Sequence, residues 1–312
     1  ACGLALLGAC QQSWQFLLVM AVIIGPAMAA TFYEPVYVLM NRWFAHTERP
    51  RAYGVLTLLS GVSISIFTPL TRALISAMGW RGAMGVLALI LVVIGLLVPL
   101  LLTEPMAARE GPAPASPKRF LAEAREGLRR TNAAFWLFTA AYFVAVMSYS
   151  GFQFHIVAEL EGRGFAAAAV AAAVGIAGLV SLPTRLLLPS LAGRVPSAML
   201  LGLCFGVLAV AAWLASIADA WWQVWLFVVL FGLVFGGISP LRGLALSERF
   251  AGGYFGRIIA IQTLFVALAH GLGPVIISSI GTDRSAYELG FRLAAAALVA
   301  SGAMTWWSLR RA

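Results

Sequence analysis

The chain has 312 residues, of which 62% are hydrophobic and 11% charged, and its mean hydropathy is +0.93. A soluble protein carries about 25% charged residues, so a soluble core could not bury this much apolar surface, and lipid must solvate much of the chain. The net charge of +9 would suggest nucleic acid for a soluble protein. Because cytoplasmic loops of membrane proteins collect Lys and Arg, we instead expect a lipid bilayer as partner and no nucleic acid.

Nine segments are long and apolar enough to cross a bilayer as helices, which takes about 20 residues each. They are roughly 15–41, 52–79, 82–103, 133–157, 166–192, 197–217, 221–247, 256–280 and 288–309. Residues 1–10 form a further apolar segment that is too short to span a bilayer alone. Prolines inside several spans predict kinks. The sequence therefore predicts an all-α polytopic membrane protein.

The longest polar stretch, 104–132, predicts a linker between two helical bundles. Its first part is rich in Pro and Ala and is typical of a flexible connection. Ser116-Pro117 then resembles a helix start, and 118–130 places apolar residues on one face, which predicts an amphipathic helix on the membrane surface. The expected domains are thus 1–103 in the first bundle, the linker 104–132, and 133–312 as a six-helix bundle.

Basic residues concentrate in alternate connections between the spans. One set holds Arg42, Arg49, Arg51, Arg109, Lys118, Arg119, Arg125, Arg129, Arg130, Arg194, Arg249, Arg257, Arg310 and Arg311; the other holds Arg81, Arg163, Arg284 and Arg292. Under the positive-inside rule the richer set is cytoplasmic. We therefore expect a multi-pass protein of the cell inner (plasma) membrane, with the 104–132 loop and the C-terminus in the cytoplasm.

An internal repeat relates the two halves of the chain. Pro35 and Pro69 are separated by the same interval as Pro240 and Pro274, and the two pairs lie 205 residues apart. Both copies run in the same direction through the membrane, which indicates a parallel repeat. Projecting the repeat backwards predicts that 1–10 is the end of a third helix. We therefore expect a fragment of a twelve-helix protein, with the first two and a half helices missing.

The sequence resembles the major facilitator superfamily, and within it the pattern is most similar to the monocarboxylate-porter-like branch. The resemblance is carried by Tyr33-Glu34-Pro35-Val36-Tyr37, Arg42-Trp43-Phe44, Arg51-Ala52-Tyr53-Gly54, Gly61, Pro69, Gly79-Trp80-Arg81, Phe154-His155, Gly164, Gly175 and Thr184-Arg185. The family's loop signature survives between helices eight and nine only as Gly193-Arg194, without its acidic residue. The resemblance implies two bundles working by alternating access, with helices one, four, seven and ten lining a cavity. In that numbering 15–41 is helix four and 221–247 is helix ten.

Ionisable groups inside a bilayer are expensive and usually functional. The repeat maps Glu34 onto Ser239 and Tyr37 onto Arg242, and each pair has the i, i+3 spacing of one helix face. We expect these four residues to line the cavity, with Arg242 binding a substrate carboxylate and Glu34 carrying a proton or pairing with Arg242. A static ion pair between the bundles is the alternative for Glu34 and Arg242.

Four further ionisable residues lie within the spans. Arg185 is a substrate-binding candidate or a cap for helix ends, and His270 is a proton-relay candidate or a hydrogen-bonded packing residue. His155 and Arg72 are gate candidates. For His155 the alternative is a position at a wet interface, and for Arg72 it is a side chain that reaches the membrane surface.

These residues favour a secondary active transporter that couples protons to a small organic anion such as a monocarboxylate, by symport. The alternatives are an efflux pump for amphipathic drugs, favoured by the aromatic content and Glu34, and a membrane sensor or scaffold that does not transport. No nucleotide-binding loop, metal-ligand spacing or nucleophile triad is present, so we expect neither enzyme activity nor a cofactor. We expect a monomer that binds its small-molecule substrate and protons.

Overall fold

A computed structural model describes residues 1–101, 125–126, 128–129, 131–250, 255–281 and 283–310. In this part of the chain all regular structure is helical. The helices are α1 Cys2–Ala9, α2 Ser13–Val19, α3 Gly25–Thr31, α4 Tyr33–Trp43, α5 Arg49–Leu101, α6 Ala133–Gly162, α7 Ala167–Leu191, α8 Ser197–Ser216, α9 Trp221–Phe250, α10 Phe255–Ile280 and α11 Arg284–Arg310, with a π-helical turn at Met20–Ile24. Nearly all of the predicted linker 104–132, including its amphipathic helix, lies outside the described residues.

Eight helices in the described part of the chain are long and apolar enough to cross a membrane. One of these spans, Ser13–Trp43, contains α2, the π-helical turn, α3 and α4. The long helix α5 changes direction at Gly79, whose φ of 73° lies in the left-handed region that favours glycine. This break falls between the predicted spans 52–79 and 82–103. The apolar span found in this region, however, is Ala73–Val98, which crosses the break, so eight of the nine predicted spans are found among the described residues.

The span Ser13–Trp43 is interrupted where its proline predicts a distortion. Pro35 cannot donate a backbone hydrogen bond, and its ring clashes with the carbonyl group four residues earlier, which belongs to Thr31. Helix α3 ends at Thr31, Phe32 is extended, and α4 begins at Tyr33. Glu34 therefore lies in the first turn of a new helix, where a negative charge is favourable.

The contacts divide the chain into two compact units. The first contains the described residues 1–43 and 62–101. Inside it, Leu7, Cys10 and Val19 form a small buried cluster. The guanidinium of Arg81 donates to the Cys10 carbonyl at 2.9 Å and lies 4.5 Å from the centre of the Trp80 ring, so α5 is fixed against the α1–α2 turn.

The second unit contains 44–61 and the helices α6 to α11. Helix α11 packs on α6 and α8, α9 packs on α7 and α8, and α10 packs on α6. Four rings from α6, α9 and α11 meet in its core, with centroids 5.7 to 6.3 Å apart: Phe152, Phe227, Phe231 and Phe291. This aromatic core holds the three helices together.

Glycines permit the closest helix contacts in the second unit. A Cβ on Gly232 would lie 2.7 Å from the carbonyl oxygen of Ala177, and one on Gly236 would overlap the carbonyl oxygen of Ser181. The Gly-x-x-x-Gly spacing of Gly232 and Gly236 therefore permits α9 to approach α7 closely. Helices α6 and α10 approach equally closely, because a Cβ on Gly151 would lie 2.9 Å from the carbonyl oxygen of Gly273.

Candidate functional site

Arg242 is a buried cation in the C-terminal third of α9, with 4% of its surface exposed. Its Nε donates to Gln262 Oε1 at 2.9 Å, and its Nη2 donates to Thr263 Oγ1 at 2.5 Å. The Thr263 hydroxyl donates its own hydrogen bond to the carbonyl of Ile259 at 2.8 Å, so its oxygen can accept the hydrogen bond from Arg242. Gln262 and Thr263 are neutral, and these two hydrogen bonds orient the guanidinium.

An aromatic ring from a third helix covers the same guanidinium. The Cζ of Arg242 lies 5.5 Å from the ring centre of Tyr142 in α6, within the range of a cation–π contact. Tyr142 is itself buried and contacts Phe205 with ring centroids 5.9 Å apart. Arg242 is thereby fixed by residues of α6 and α10, and we call the four residues Tyr142, Arg242, Gln262 and Thr263 the arginine layer.

His270 forms a second group with Tyr149 and Phe235. The Nδ1 of His270 lies 3.0 Å from the carbonyl oxygen of Val266, and a carbonyl can only accept, so Nδ1 carries hydrogen. In the neutral imidazole Nε2 is then the acceptor, and it lies 3.3 Å from the Tyr149 hydroxyl. The Tyr149 ring meets Phe235 edge to face with centroids 5.9 Å apart. We call Tyr149, Phe235 and His270 the histidine layer.

The two layers are related by one spacing on all three helices. Tyr142 and Tyr149 on α6, Phe235 and Arg242 on α9, and Thr263 and His270 on α10 are each seven residues apart. Residues seven apart lie on one helix face, about 10 Å from each other along the axis. The guanidinium and the imidazole therefore lie at neighbouring depths, and a proton on His270 would be repelled by the charge of Arg242.

Arg185, the other buried arginine predicted to bind substrate, has different surroundings. Its Nη1 donates to the backbone carbonyl of Thr57 at 3.1 Å, and the Thr57 hydroxyl bonds the Arg185 carbonyl at 3.4 Å. Its side chain also lies against two glycines, since a Cβ on Gly61 or Gly236 would come within 2.8 Å of it. In this structure Arg185 joins the start of α5 to α7 and α9.

The predicted residues of the first unit are placed as follows. Tyr37 is buried, and its ring stacks on Tyr33 with centroids 5.9 Å apart, while Glu34 is half-buried. Arg72 lies in α5, and its side chain is outside the described part of the structure.

Ser239 and His155 belong to the second unit. Ser239 is half-buried in α9, one helical turn before Arg242. The Nε2 of His155 lies 3.0 Å from the carbonyl oxygen of Pro274 in α10, and its ring packs on Tyr287 of α11 with centroids 5.2 Å apart. His155 therefore connects three helices near one end of the unit.

An ion-pair cluster lies at that same end, around a guanidinium that is 2% exposed. Arg163 contacts Glu159 at 2.6 Å, Glu288 at 3.2 Å and Asp219 at 3.3 Å, and it also donates to the carbonyl of Ser216. We call Glu159, Arg163, Asp219 and Glu288 the Arg163 cluster. It ties α6 to the end of α8, the following turn and α11.

The helix α11 begins beside this cluster, at a connection outside the membrane spans. The Ser285 hydroxyl donates to the Asp283 carboxylate, and this hydrogen bond lowers the pKa of Asp283. The backbone carbonyl of Asp283 also accepts from the Tyr287 amide at 3.1 Å. Asp283 thus stays ionised at the N-terminus of α11, where its charge favours the helix.

Sequence reasoning singled out Arg242 and His270 but missed Tyr142, Tyr149, Gln262 and Thr263. Hydroxyl and amide groups are common in membrane helices, so none of the four is conspicuous alone. The shared spacing of seven residues on three helices was the available signal. It becomes meaningful only when the helices that face each other are known.

Comparison with known proteins gives a family match and several structural matches. The sequence model of the family described as Major Facilitator Superfamily matches residues 1–274. The crystal structure of the human organic anion transporter MFSD10 (TETRAN) superposes with a TM-score of 0.72 at 14% sequence identity, covering 97% of this chain and 74% of that one. At this identity the structural likeness shows the fold.

Proposed function

The chain belongs to the Major Facilitator Superfamily, a family of secondary transporters, and we propose that it moves a small organic anion together with protons by alternating access. The expected family, the all-α fold and the multi-pass membrane character are confirmed. The observation that carries the proposal is the arginine layer: a buried guanidinium within a membrane-spanning helix, oriented by hydrogen bonds to Gln262 and Thr263 of a second helix.

A guanidinium in this setting favours an anionic substrate. A charge buried in a bilayer is costly, and an anion that binds beside a buried guanidinium lowers that cost. A carboxylate can accept two parallel hydrogen bonds from a guanidinium, which is the strongest pairing that such a group makes. MFSD10 is described as an organic anion transporter, but Arg242 itself carries the substrate assignment.

His270 supplies the proton site in this proposal. Two positive charges about 10 Å apart repel by about 1 to 2 kcal/mol at an effective dielectric constant near 20. Arg242 therefore opposes a proton on His270, and an anion bound to Arg242 offsets that repulsion. The anion and the proton would each strengthen the binding of the other by roughly tenfold, which is the requirement for symport.

Other predicted residues have subordinate roles in the proposal. Ser239 would line the substrate path on α9, and Glu34 and Tyr37 would line it from the first unit. Arg185 would contribute positive charge from α7, with His155 and Arg72 as parts of a gate. We further propose a monomer in the cell inner membrane, with the 104–132 loop and the C-terminus in the cytoplasm.

Uptake into proteoliposomes tests the proposal. The full-length protein is purified and reconstituted, and uptake of radiolabelled acetate, lactate, pyruvate and benzoate is measured with and without an inward proton gradient. We expect the gradient to stimulate uptake of at least one anion and Arg242→Met to abolish it. Arg284→Met, at a half-exposed arginine, should retain uptake. If no anion accumulates, or if Arg242→Met is as active as the unaltered protein, the anion assignment is wrong.

Efflux of an amphipathic cation is the second candidate. The half-buried carboxylate of Glu34 lies next to the stacked rings of Tyr33 and Tyr37, and a carboxylate beside aromatic faces suits a cation. In a drug-resistance assay this function requires Glu34→Gln to abolish resistance while Arg242→Met retains it. A sensor or scaffold would instead bind its ligand without moving it across the proteoliposome membrane.

A further inference from the structure

Tyr149 is fixed from two directions in the histidine layer. It is 6% exposed, and its ring stands nearly perpendicular to both Phe235 of α9, at 83°, and His270 of α10, at 85°. Edge-to-face packing on two helices restricts rotation of the ring. The hydroxyl is therefore held at the Nε2 side of His270, at 3.3 Å.

The Tyr149 hydroxyl can pair with His270 in both protonation states. Because Nδ1 is bonded to the Val266 carbonyl, a proton that His270 takes up or releases must be on Nε2. A neutral imidazole accepts at Nε2, so the phenol donates to it. A protonated imidazole donates at Nε2, and the phenol oxygen then accepts after its own O–H rotates away. The contact between α6 and α10 thus persists through a proton cycle.

The two forms of this hydrogen bond differ in strength. A bond from imidazolium is charge-assisted and about twice as strong as one between neutral groups. Tyr149 consequently favours the protonated form of His270, whereas the positive charge of Arg242 on α9 repels a proton there. On the same face of α6, two helical turns from Tyr149, the Tyr142 ring covers the guanidinium of Arg242.

We propose that Tyr149 is a positioning residue that holds Nε2 of His270 and sets the pH at which the coupled proton binds. The proposal rests on the proposed function, since it takes His270 as the proton site. It adds a role for α6, because a shift of α6 relative to α10 would weaken the bond and release the proton. The proton step would in this way respond to helix movement as well as to the anion.

The test compares pH profiles of anion uptake in proteoliposomes for four proteins: the unaltered chain, Tyr149→Phe, Tyr142→Phe and His270→Gln. Tyr149→Phe keeps the ring and removes the hydroxyl, so the midpoint should fall by about 0.5 to 1 pH unit, the effect of losing one charge-assisted bond. Tyr142→Phe is the matched control, because it removes the hydroxyl of the tyrosine one layer away and keeps the ring over Arg242, and it should leave the midpoint in place. His270→Gln should remove the pH dependence.

The outcomes separate this inference from the function on which it rests. If His270→Gln retains the full pH dependence, the proton assignment in the proposed function fails. If His270→Gln is flat and Tyr149→Phe leaves the midpoint in place, the function stands and the role of Tyr149 is wrong. Should Tyr149→Phe fail to fold, 3-fluorotyrosine at position 149 keeps the shape and weakens the oxygen as an acceptor. It should move the midpoint in the same direction by a smaller amount, and an unchanged midpoint would overturn the inference.

Discussion

Replacing Gly273 with alanine should drive α6 and α10 apart at the point where they are closest. A Cβ at Gly273 would overlap the Met147 carbonyl oxygen and the Ser150 hydroxyl and would lie 2.9 Å from the Gly151 amide nitrogen. Two of these three atoms are backbone and cannot rotate aside, so the helices must separate. Overpacking of this kind costs about 3 kcal/mol, and the better helix propensity of alanine returns about 1 kcal/mol. The net destabilisation is about 2 kcal/mol.

Gly271 provides a matched control in the same helix. A Cβ at Gly271 meets no atom within 4 Å, so Gly271→Ala should be neutral or stabilise by up to about 1 kcal/mol. Thermal unfolding in detergent should place the Tm of Gly273→Ala about 4 to 8 °C below that of the unaltered protein, with Gly271→Ala at or slightly above it. Equal melting of the two variants would refute the close contact.

The Gly273 substitution also tests the site, because Gly273 lies three residues after His270 and Gly151 lies two residues after Tyr149. Separating the helices by several tenths of an ångström would stretch the 3.3 Å hydrogen bond between Tyr149 and His270 beyond its useful range. Gly273→Ala should therefore lower the pH midpoint of uptake as Tyr149→Phe does. A midpoint that stays in place in a folded Gly273→Ala protein would mean that the contact and the proton step are independent.

Two further predictions concern stability alone. Gly236→Ala should lower the Tm, because its Cβ would overlap the Ser181 carbonyl oxygen and lie 2.8 Å from the side chain of Arg185. Gly178→Ala in α7 is the control and should leave the Tm unchanged, because the space around Gly178 is open. Similar melting of both variants would contradict the α7–α9 contact. Arg163→Gln should destabilise by about 3 to 5 kcal/mol, because it leaves the buried Glu159 without its charge partner. Arg292→Gln removes a half-exposed partner of Glu288 and should cost less than about 1 kcal/mol; equal losses in thermal unfolding would show that the Arg163 cluster is not structural.

Prolines show how far local sequence determines these helices. Pro35 and Pro240 occupy equivalent positions of the predicted repeat, yet the chain breaks at Phe32 in the first copy and continues through Pro240 in α9. The residue four before Pro240 is Gly236, which is pressed against α7. The span Ser13–Trp43 is almost entirely exposed within its unit, whereas Trp221–Phe250 is mostly buried. Tertiary packing therefore keeps one helix continuous where the isolated proline effect would break it.

The residues of the candidate site could be predicted only in part, because the sequence does not show which face of each helix packs against protein. Hydrophobicity alone predicts the spans, because membrane helices must be apolar over about 20 residues. In a helix that is apolar all round, periodicity does not show which side faces protein. Arg242 and His270 were therefore predictable from their charge, whereas Tyr142, Tyr149 and Gln262 required knowledge of how α6, α9 and α10 face one another.

Burial of an arginine also does not reveal its role, as Arg185 and Arg242 demonstrate. Both are under 10% exposed in mid-helix positions, and the sequence treats them alike. Arg185 donates to a backbone carbonyl and fills a contact lined by glycines, so its removal would leave a buried acceptor unpaired and a cavity between three helices. Arg242 is held by side chains that belong to a helix distinct from its own. A movement of α9 relative to α10 would change the contacts of Arg242 directly, and such a dependence on helix position is what alternating access requires of a residue that binds the substrate.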